Sequence, residues 1–299
     1  MSIPLMTGSG SSMQQYRCAN RCTWCDGCGD YGIWTAMQRA LVELKIAPWQ
    51  ALLCYDVGCH GNMSDKLLGY RFHGLHGRVL PFAAGAKLAN PRVPVLAFGG
   101  DGASFSEGVG HLVHAVRSNY PITFILHNNG NYGLTTGQAS ALTWQDQPMN
   151  AAPNGIPERT IHSMDFLFSL EPTFVARTFS GDIPHMTKMF AAAIAHQQHG
   201  FAFVDVLQAC PTYNHFATHE YLLERCYDCN AEGHDPSDAA KARQLATADT
   251  SKRIACGILY QRTDLPHFYD RLVPRKDKKT TPAEEVEIVD TGKWLKRFT

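Results

Sequence analysis

The chain has 299 residues, 44% of them apolar, enough to bury a full α/β core, and its acidic and basic residues balance to a formal net charge of zero. No cluster of Lys and Arg marks a nucleic-acid surface, and no stretch approaches the roughly 18 consecutive apolar residues of a membrane span. Ten cysteines follow a polar, Gly/Ser-rich Met1–Arg17 that lacks the apolar core of a signal peptide; they point to thiolate or metal chemistry in a reducing, cytoplasmic compartment rather than to disulfides.

Residues 1–20 read as an N-terminal arm, loose before Tyr16. Ile33, Ala36, Met37, Ala40, Leu41 and Leu44 follow helical spacing, and Pro48 stops the helix. A strand is expected over Ala51–Val57, then a small-residue helix over Phe82–Ala89. Pro94–Phe98 reads as the next strand, Phe105–Asn119 as a helix, and Pro121–His127 as a strand. Gln145–Arg159, rich in Pro, Asn and Gln, is a long surface loop. Phe174–Phe179 and Phe201–Leu207 are further strands, with a helix over Thr187–His196 between them. Their near-continuous apolar character suits parallel strands covered on both faces. The fold class is therefore α/β, a doubly wound, mostly parallel sheet over residues 21–215. The parallel rhythm stops after Tyr213. Residues 216–299 form a more charged extension, with Lys276–Glu287 solvated or lying across a partner.

Gly100-Asp101-Gly102 follows one strand and Asn128-Asn129 the next. Each half alone reads as a common turn. In this order, at the carboxyl ends of adjacent strands of a βαβ unit, a carboxylate and an amide can hold Mg²⁺ on a diphosphate. Cys59 and Cys210 also lie just past strand ends, so two thiols and two Mg²⁺ ligands converge on one rim, and Cys25-x-x-Cys28 ahead of the first helix could reach it. Four thiolates, one of them in Cys210-Pro211, suffice for a [4Fe–4S] cluster. A zinc site pairing Cys25 and Cys28 with Cys226 and Cys229 is the rival. Cys18, Cys22 and Cys25 mimic the triad of radical S-adenosylmethionine enzymes, a reading that would leave Asp101 and Asn129 without a purpose. Cys54 and Cys256 are expected in the core. His76-Gly77-Arg78, before a helix start, suits a diphosphate or carboxylate; its bland alternative is a surface Arg beside a structural His.

Trp24-Cys25-Asp26-Gly27-Cys28-Gly29, Gly58-Cys59, His76-Gly77-Arg78, Gly100-Asp101-Gly102 and Asn128-Asn129 through Thr135 occur in one order. From about Trp24 to Tyr213 the chain resembles the β subunit of 2-oxoacid:ferredoxin oxidoreductases, with the thiamine diphosphate-binding fold. The resemblance implies that Cys25, Cys28, Cys59 and Cys210 ligate a [4Fe–4S] cluster, and that Asp101, Asn129 and the main-chain carbonyl of Asn131 bind Mg²⁺. It places His76, Gly77 and Arg78 near the cofactor, and Gly100, Gly102, Gly133, Leu134 and Thr135 along the diphosphate. Trp24 belongs to the same cofactor set, and Gly58, Cys59, Asn62 and Leu134 would face the thiazolium and substrate. It further implies oxidative decarboxylation of a 2-oxoacid (2-oxoglutarate or pyruvate) to an acyl-coenzyme A, with electrons passing singly to ferredoxin. The partner is an α subunit that supplies the pyrimidine-side domain, in an αβ or (αβ)₂ assembly. Asp26 stands where the family often has Pro, and His60-Gly61-Asn62 where small hydroxyl residues are usual. The other readings are a non-oxidative thiamine enzyme with zinc-binding cysteines and a non-catalytic electron-transfer subunit.

Overall fold

The structure is a computed structural model that describes residues 12–248, 250–287 and 290–296. Among the described residues, eight strands form one sheet: β1 (Leu52–Tyr55), β2 (Tyr70–His73), β3 (Val95–Gly100), β4 (Thr123–Asn128), β5 (Phe174–Phe179), β6 (Ala202–Leu207), β7 (Cys226–Asp228) and β8 (Ile254–Gln261). Their order across the sheet is β2-β1-β3-β4-β6-β5-β8-β7. All neighbours are parallel except β5 and β8, which run antiparallel. β3 to β6 are buried along almost their whole lengths, which is why their sequences are apolar without alternation.

Helices cover both faces. On one face lie α1 (Asp30–Glu43) and α5 (Ile183–His196), whose apolar stripes pack on Leu53, Leu96, Ile125 and Val204. Asp182 caps α5 by accepting from the His185 amide at 3.0 Å. The other face carries α2 (Val79–Ala89), α3 (Val109–Ser118), α4 (Ser163–Ser169) and α7 (Ala239–Ala246), packed on Ala97, Phe124, Val175 and Phe203. α6 (His219–Arg225) and α8 (Gly292–Leu295) complete the set.

The helix expected over Phe105–Asn119 is divided. A π turn spans Ala103–Glu107, and α3 begins only after Gly108. The wide turn lets Ser104 Oγ donate back to the Gly100 carbonyl at 2.7 Å, fastening the chain just past β3. β2, β7 and β8 were not anticipated. β2 is an edge strand with every residue exposed, and so has no apolar run to betray it. β7 and β8 belong to the segment read as an extension; β8 continues the main sheet past β5 through a register shift at Val175 and Ala176. Most of the expected N-terminal arm lies outside the described residues. Its end is docked: Tyr16 is buried, its hydroxyl donates to the Ile46 carbonyl, and its own carbonyl accepts from Leu68. Among the described residues, no helix is long and apolar enough to cross a membrane.

Candidate active site at the carboxyl rim of the sheet

β1, β3, β4 and β6 are consecutive neighbours, so the loops leaving their carboxyl ends meet at one rim. Asp101, past β3, is 1% exposed. Its Oδ2 accepts from the Ser140 hydroxyl, while Oδ1 has no partner. Burial pushes the carboxyl up to about 7, against the lowering effect of the Ser140 bond. A buried, orphaned carboxylate oxygen is what a divalent cation satisfies, and oxygen donors from Asp and Asn suit Mg²⁺.

Asn129 and Asn131, past β4, are buried beside it. The Asn131 amide N–H donates to Asn129 Oδ1 at 3.2 Å, and Asn131 Nδ2 donates to the Asn129 carbonyl at 2.8 Å. A cavity of about 110 Å³ joins these residues to Gly58, Cys59, His60, His76, Gly100, Gly102, Tyr132, Gly133, Leu134 and Thr135. It is small beside the roughly 300–1,000 Å³ usual for a complete ligand pocket, and Leu134 on its wall is half exposed. A Cβ on Gly102 would overlap the Tyr132 ring, so only glycine lets the cavity floor close on that side.

Four residues expected at the cofactor or substrate, Trp24, Asn62, Gly77 and Arg78, lie outside the lining. Asn62 donates to Thr23 Oγ1 at 3.1 Å and so ties the helix after Cys59 to the Cys25–Cys28 segment. Gly77 is buried behind His76. Arg78 is exposed, and its Nη1 donates to the carbonyls of Gly77 and Glu107, each at 3.2 Å.

The four cysteines gather on the same rim. A Cβ placed on Gly133 would lie 3.3 Å from Cys59 Sγ and 4.0 Å from Cys210 Sγ. Cys28 and Cys210 together line a second cavity, of about 650 Å³. The Gly29 amide donates to the Ala209 carbonyl at 3.0 Å, docking the Cys25–Cys28 turn on the loop after β6. Trp24 Nε1 donates to the Cys59 carbonyl at 2.7 Å, docking the same turn on the loop after β1. Burial pushes the Cys28 thiol well up, and burial with the charges of Asp30, Cys210 and Cys25 pushes Cys59 up to about 12. Four thiols brought to one rim are a donor set that fits an iron–sulfur cluster. Among the described residues no group of three or more His, Cys, Asp or Glu side chains is placed to hold a metal ion. Cys229 packs on the sheet face opposite Cys28, which does not bring the two Cys-x-x-Cys pairs together. Cys54 and Cys256 are buried, as expected.

Several supporting residues were invisible in the sequence. Asp56 accepts from the amides of Val57 (2.7 Å), Gly77 (2.8 Å) and Val79 (3.3 Å), which anchors the His76–Arg78 loop. His60 Nε2 accepts from the Gly100 amide at 3.1 Å; burial and the neighbouring histidines hold this imidazole neutral, its pKa well below the usual range. Asn214 Nδ2 donates to the Asn129 carbonyl at 2.8 Å and so links the Cys210 loop to the Asn129 loop. None of these has a motif of its own; each is recognisable only by the atoms it reaches across the sheet.

Comparison with known proteins agrees with this geometry. Residues 56–206 match the model of the thiamine pyrophosphate enzyme C-terminal TPP binding domain. Residues 210–277 match the model for the C terminal part of the pyruvate ferredoxin oxidoreductase beta subunit. A 2-oxoacid:ferredoxin oxidoreductase subunit beta from Saccharolobus solfataricus is 37% identical over 88% of this chain and 90% of its own. The chain belongs to the 2-oxoacid:ferredoxin oxidoreductase β subunits. A second relative, from Aeropyrum pernix, is 36% identical over 83% of each chain. Among solved structures, a 2-oxoglutarate:ferredoxin oxidoreductase from Magnetococcus marinus, with 2-oxoglutarate, coenzyme A and succinyl-CoA bound, superposes with a TM-score of 0.85. It is 30% identical and covers 97% of both chains. This β subunit is thus part of a multi-subunit oxidoreductase whose thiamine diphosphate-binding domain is the sheet described above. Neither the non-oxidative thiamine enzyme nor the non-catalytic carrier agrees with that membership.

Proposed function

We propose that the cavity around Asp101 takes the Mg²⁺-diphosphate end of thiamine diphosphate, and that Cys25, Cys28, Cys59 and Cys210 hold a [4Fe–4S] cluster next to it. The subunit then serves the oxidation of a 2-oxoacid to an acyl-coenzyme A and CO₂, with ferredoxin as electron acceptor. The observation that carries this reading is that Cys59 lines the Asp101 cavity while its sulfur faces Cys210 across Gly133. When bound, thiamine diphosphate supplies the electron sink for carbon–carbon cleavage, and the cluster takes electrons one at a time.

Asp101 and Asn129 offer side-chain oxygens to Mg²⁺, and Asn131 its carbonyl. Gly100, Gly102, Gly133 and Thr135 keep the diphosphate wall close and low, and His76 closes its edge. Cys59 and Leu134 border the substrate end, and Asn62 acts there by fixing the Cys25–Cys28 segment through Thr23. Arg78 shapes the loop before α2 rather than the cavity wall. The lining contains no glutamate for the aminopyrimidine. A partner α subunit supplies it, in an αβ or (αβ)₂ assembly closed over Leu134. The bound 2-oxoglutarate of the Magnetococcus marinus neighbour favours 2-oxoglutarate over pyruvate as substrate.

The test is anaerobic purification with the partner subunit, followed by metal and sulfide analysis and EPR after dithionite. About four irons with matching sulfide per chain, and a signal lost in Cys210→Ala, are expected. Zinc without iron would refute the electron-transfer assignment. Oxidation of a 2-oxoacid at full rate by this chain alone would refute the shared active site.

A further inference from the structure

Cys28 receives a hydrogen bond that ligand geometry alone does not require. Gln208, the first residue after β6, donates from Nε2 to Cys28 Sγ at 3.6 Å. It is 2% exposed, and its Oε1 finds no partner. A buried amide with one oxygen unsatisfied is not the residue that packing alone would select, because Leu or Met fills such a space without stranding a polar atom.

The approach is built into the backbone. The Gln208 amide N–H is fastened to the Asn128 carbonyl at 2.9 Å, and the neighbouring Ala209 carbonyl accepts from Gly29 at 3.0 Å. A Cβ on Gly29 would stand 2.7 Å from Gln208 Cγ and 2.6 Å from Ser180 Oγ, so the turn and the side chain meet only because residue 29 has none. Asp30 Oδ2 lies 3.4 Å from the same sulfur, where it accepts from the thiol, and Asp30 Oδ1 is bonded to His127 Nδ1 at 2.7 Å. Once the sulfur ligates iron its proton is gone and the bond to Asp30 goes with it. The Gln208 amide can still donate to the ligated sulfur. A hydrogen bond to a ligand sulfur stabilises the more electron-rich state of a cluster.

We propose that Gln208 raises the reduction potential of the cluster through its Nε2–H···Sγ bond to Cys28, a positioning residue acting through a ligand and not on substrate. The inference rests on Cys28 being a cluster ligand, as proposed above. The experiment compares wild type, Gln208→Met and Gln208→Glu, each purified anaerobically with the partner subunit. Met has nearly the reach and volume of Gln without a donor, and Glu keeps the shape. Iron and sulfide are measured first, then the midpoint by EPR-monitored potentiometric titration. Both variants are expected to keep wild-type iron and sulfide and to titrate at a more negative potential. For Gln208→Met the shift corresponds to about a tenfold loss of the reduced state, about 59 mV for one electron; Gln208→Glu shifts further. A midpoint unchanged or raised with the cluster intact overturns the inference and leaves the cluster assignment standing. Loss of the cluster from both variants also overturns it, by making Gln208 a structural support. Absence of iron from wild type overturns the cluster assignment and this inference together.

Discussion

Replacing Asp101 by Asn separates the cost of its buried charge from its use. In the cofactor-free chain its pKa is raised from 3.8 to about 7 by burial. The native state therefore binds this proton more tightly than the unfolded chain does. The stability it contributes is fully present below about pH 3.8 and is lost as pH rises through about 7. The interval is about 3 pH units, and at about 1.4 kcal/mol per unit the loss amounts to about 4 kcal/mol. Asn has nearly the same shape, does not ionise, and can still engage the Ser140 hydroxyl. Urea titrations of the two cofactor-free proteins should then give similar stabilities near pH 4 and a gap approaching about 4 kcal/mol in favour of Asp101→Asn at pH 8. Adding Mg²⁺ and thiamine diphosphate should close most of that gap at pH 8. Ligand at about 100 times its Kd stabilises wild type by about 2.7 kcal/mol, and the variant, lacking the anionic ligand, gains little. Wild-type affinity should also fall as pH drops below about 7, because Mg²⁺ competes with the proton. The reasoning is refuted if Asp101→Asn is the less stable protein at pH 8 without cofactor, or if both proteins respond equally to Mg²⁺ and cofactor.

The Asp56→Ala chain leaves the Val57 amide and two amides of the His76 loop, those of Gly77 and Val79, without their acceptor and should lose about 2–4 kcal/mol, read as a lower urea midpoint with unchanged slope. Gly102→Ala forces the Tyr132 ring out of place; calorimetry should record thiamine diphosphate affinity down at least about tenfold with global stability lowered by only about 1–3 kcal/mol. Trp24→Phe removes the bond to the Cys59 carbonyl at a cost of about 1 kcal/mol. It should lower the iron retained per chain after anaerobic gel filtration, whereas full retention would show that the Trp24 bond does not hold the Cys25–Cys28 turn. Stripping Mg²⁺ with a chelator should release thiamine diphosphate, and Mg²⁺ should restore its binding, since Asp101 Oδ1 has no other described partner.

Much of the site was legible because parallel sheets make sequence order into geometry. An apolar run followed by Gly-Asp-Gly, Asn-Asn or a lone Cys puts that residue at the carboxyl edge, whatever the details of the strand. This placed Cys59, Asp101, Asn129 and Cys210 on a common rim from order alone, and the strand order β1-β3-β4-β6 makes their loops neighbours. Composition and spacing likewise determined the fold class, the core strands and the helix stripes of α1 and α5.

What only the tertiary structure decided are the contacts between residues far apart in the chain that carry no periodic signal. The sequence does not say that Asp56 would hold the His76 loop, that Asn214 would reach the Asn129 carbonyl, or that Arg78 would turn to backbone carbonyls. Edge strand β2 and the antiparallel β8 were hidden for a related reason: an exposed edge needs no apolar run, and an antiparallel return depends on which neighbour it finds. Local hydrophobic pattern determines which backbone enters the sheet. The direction of a buried polar side chain is set by the donors and acceptors that other segments bring to it.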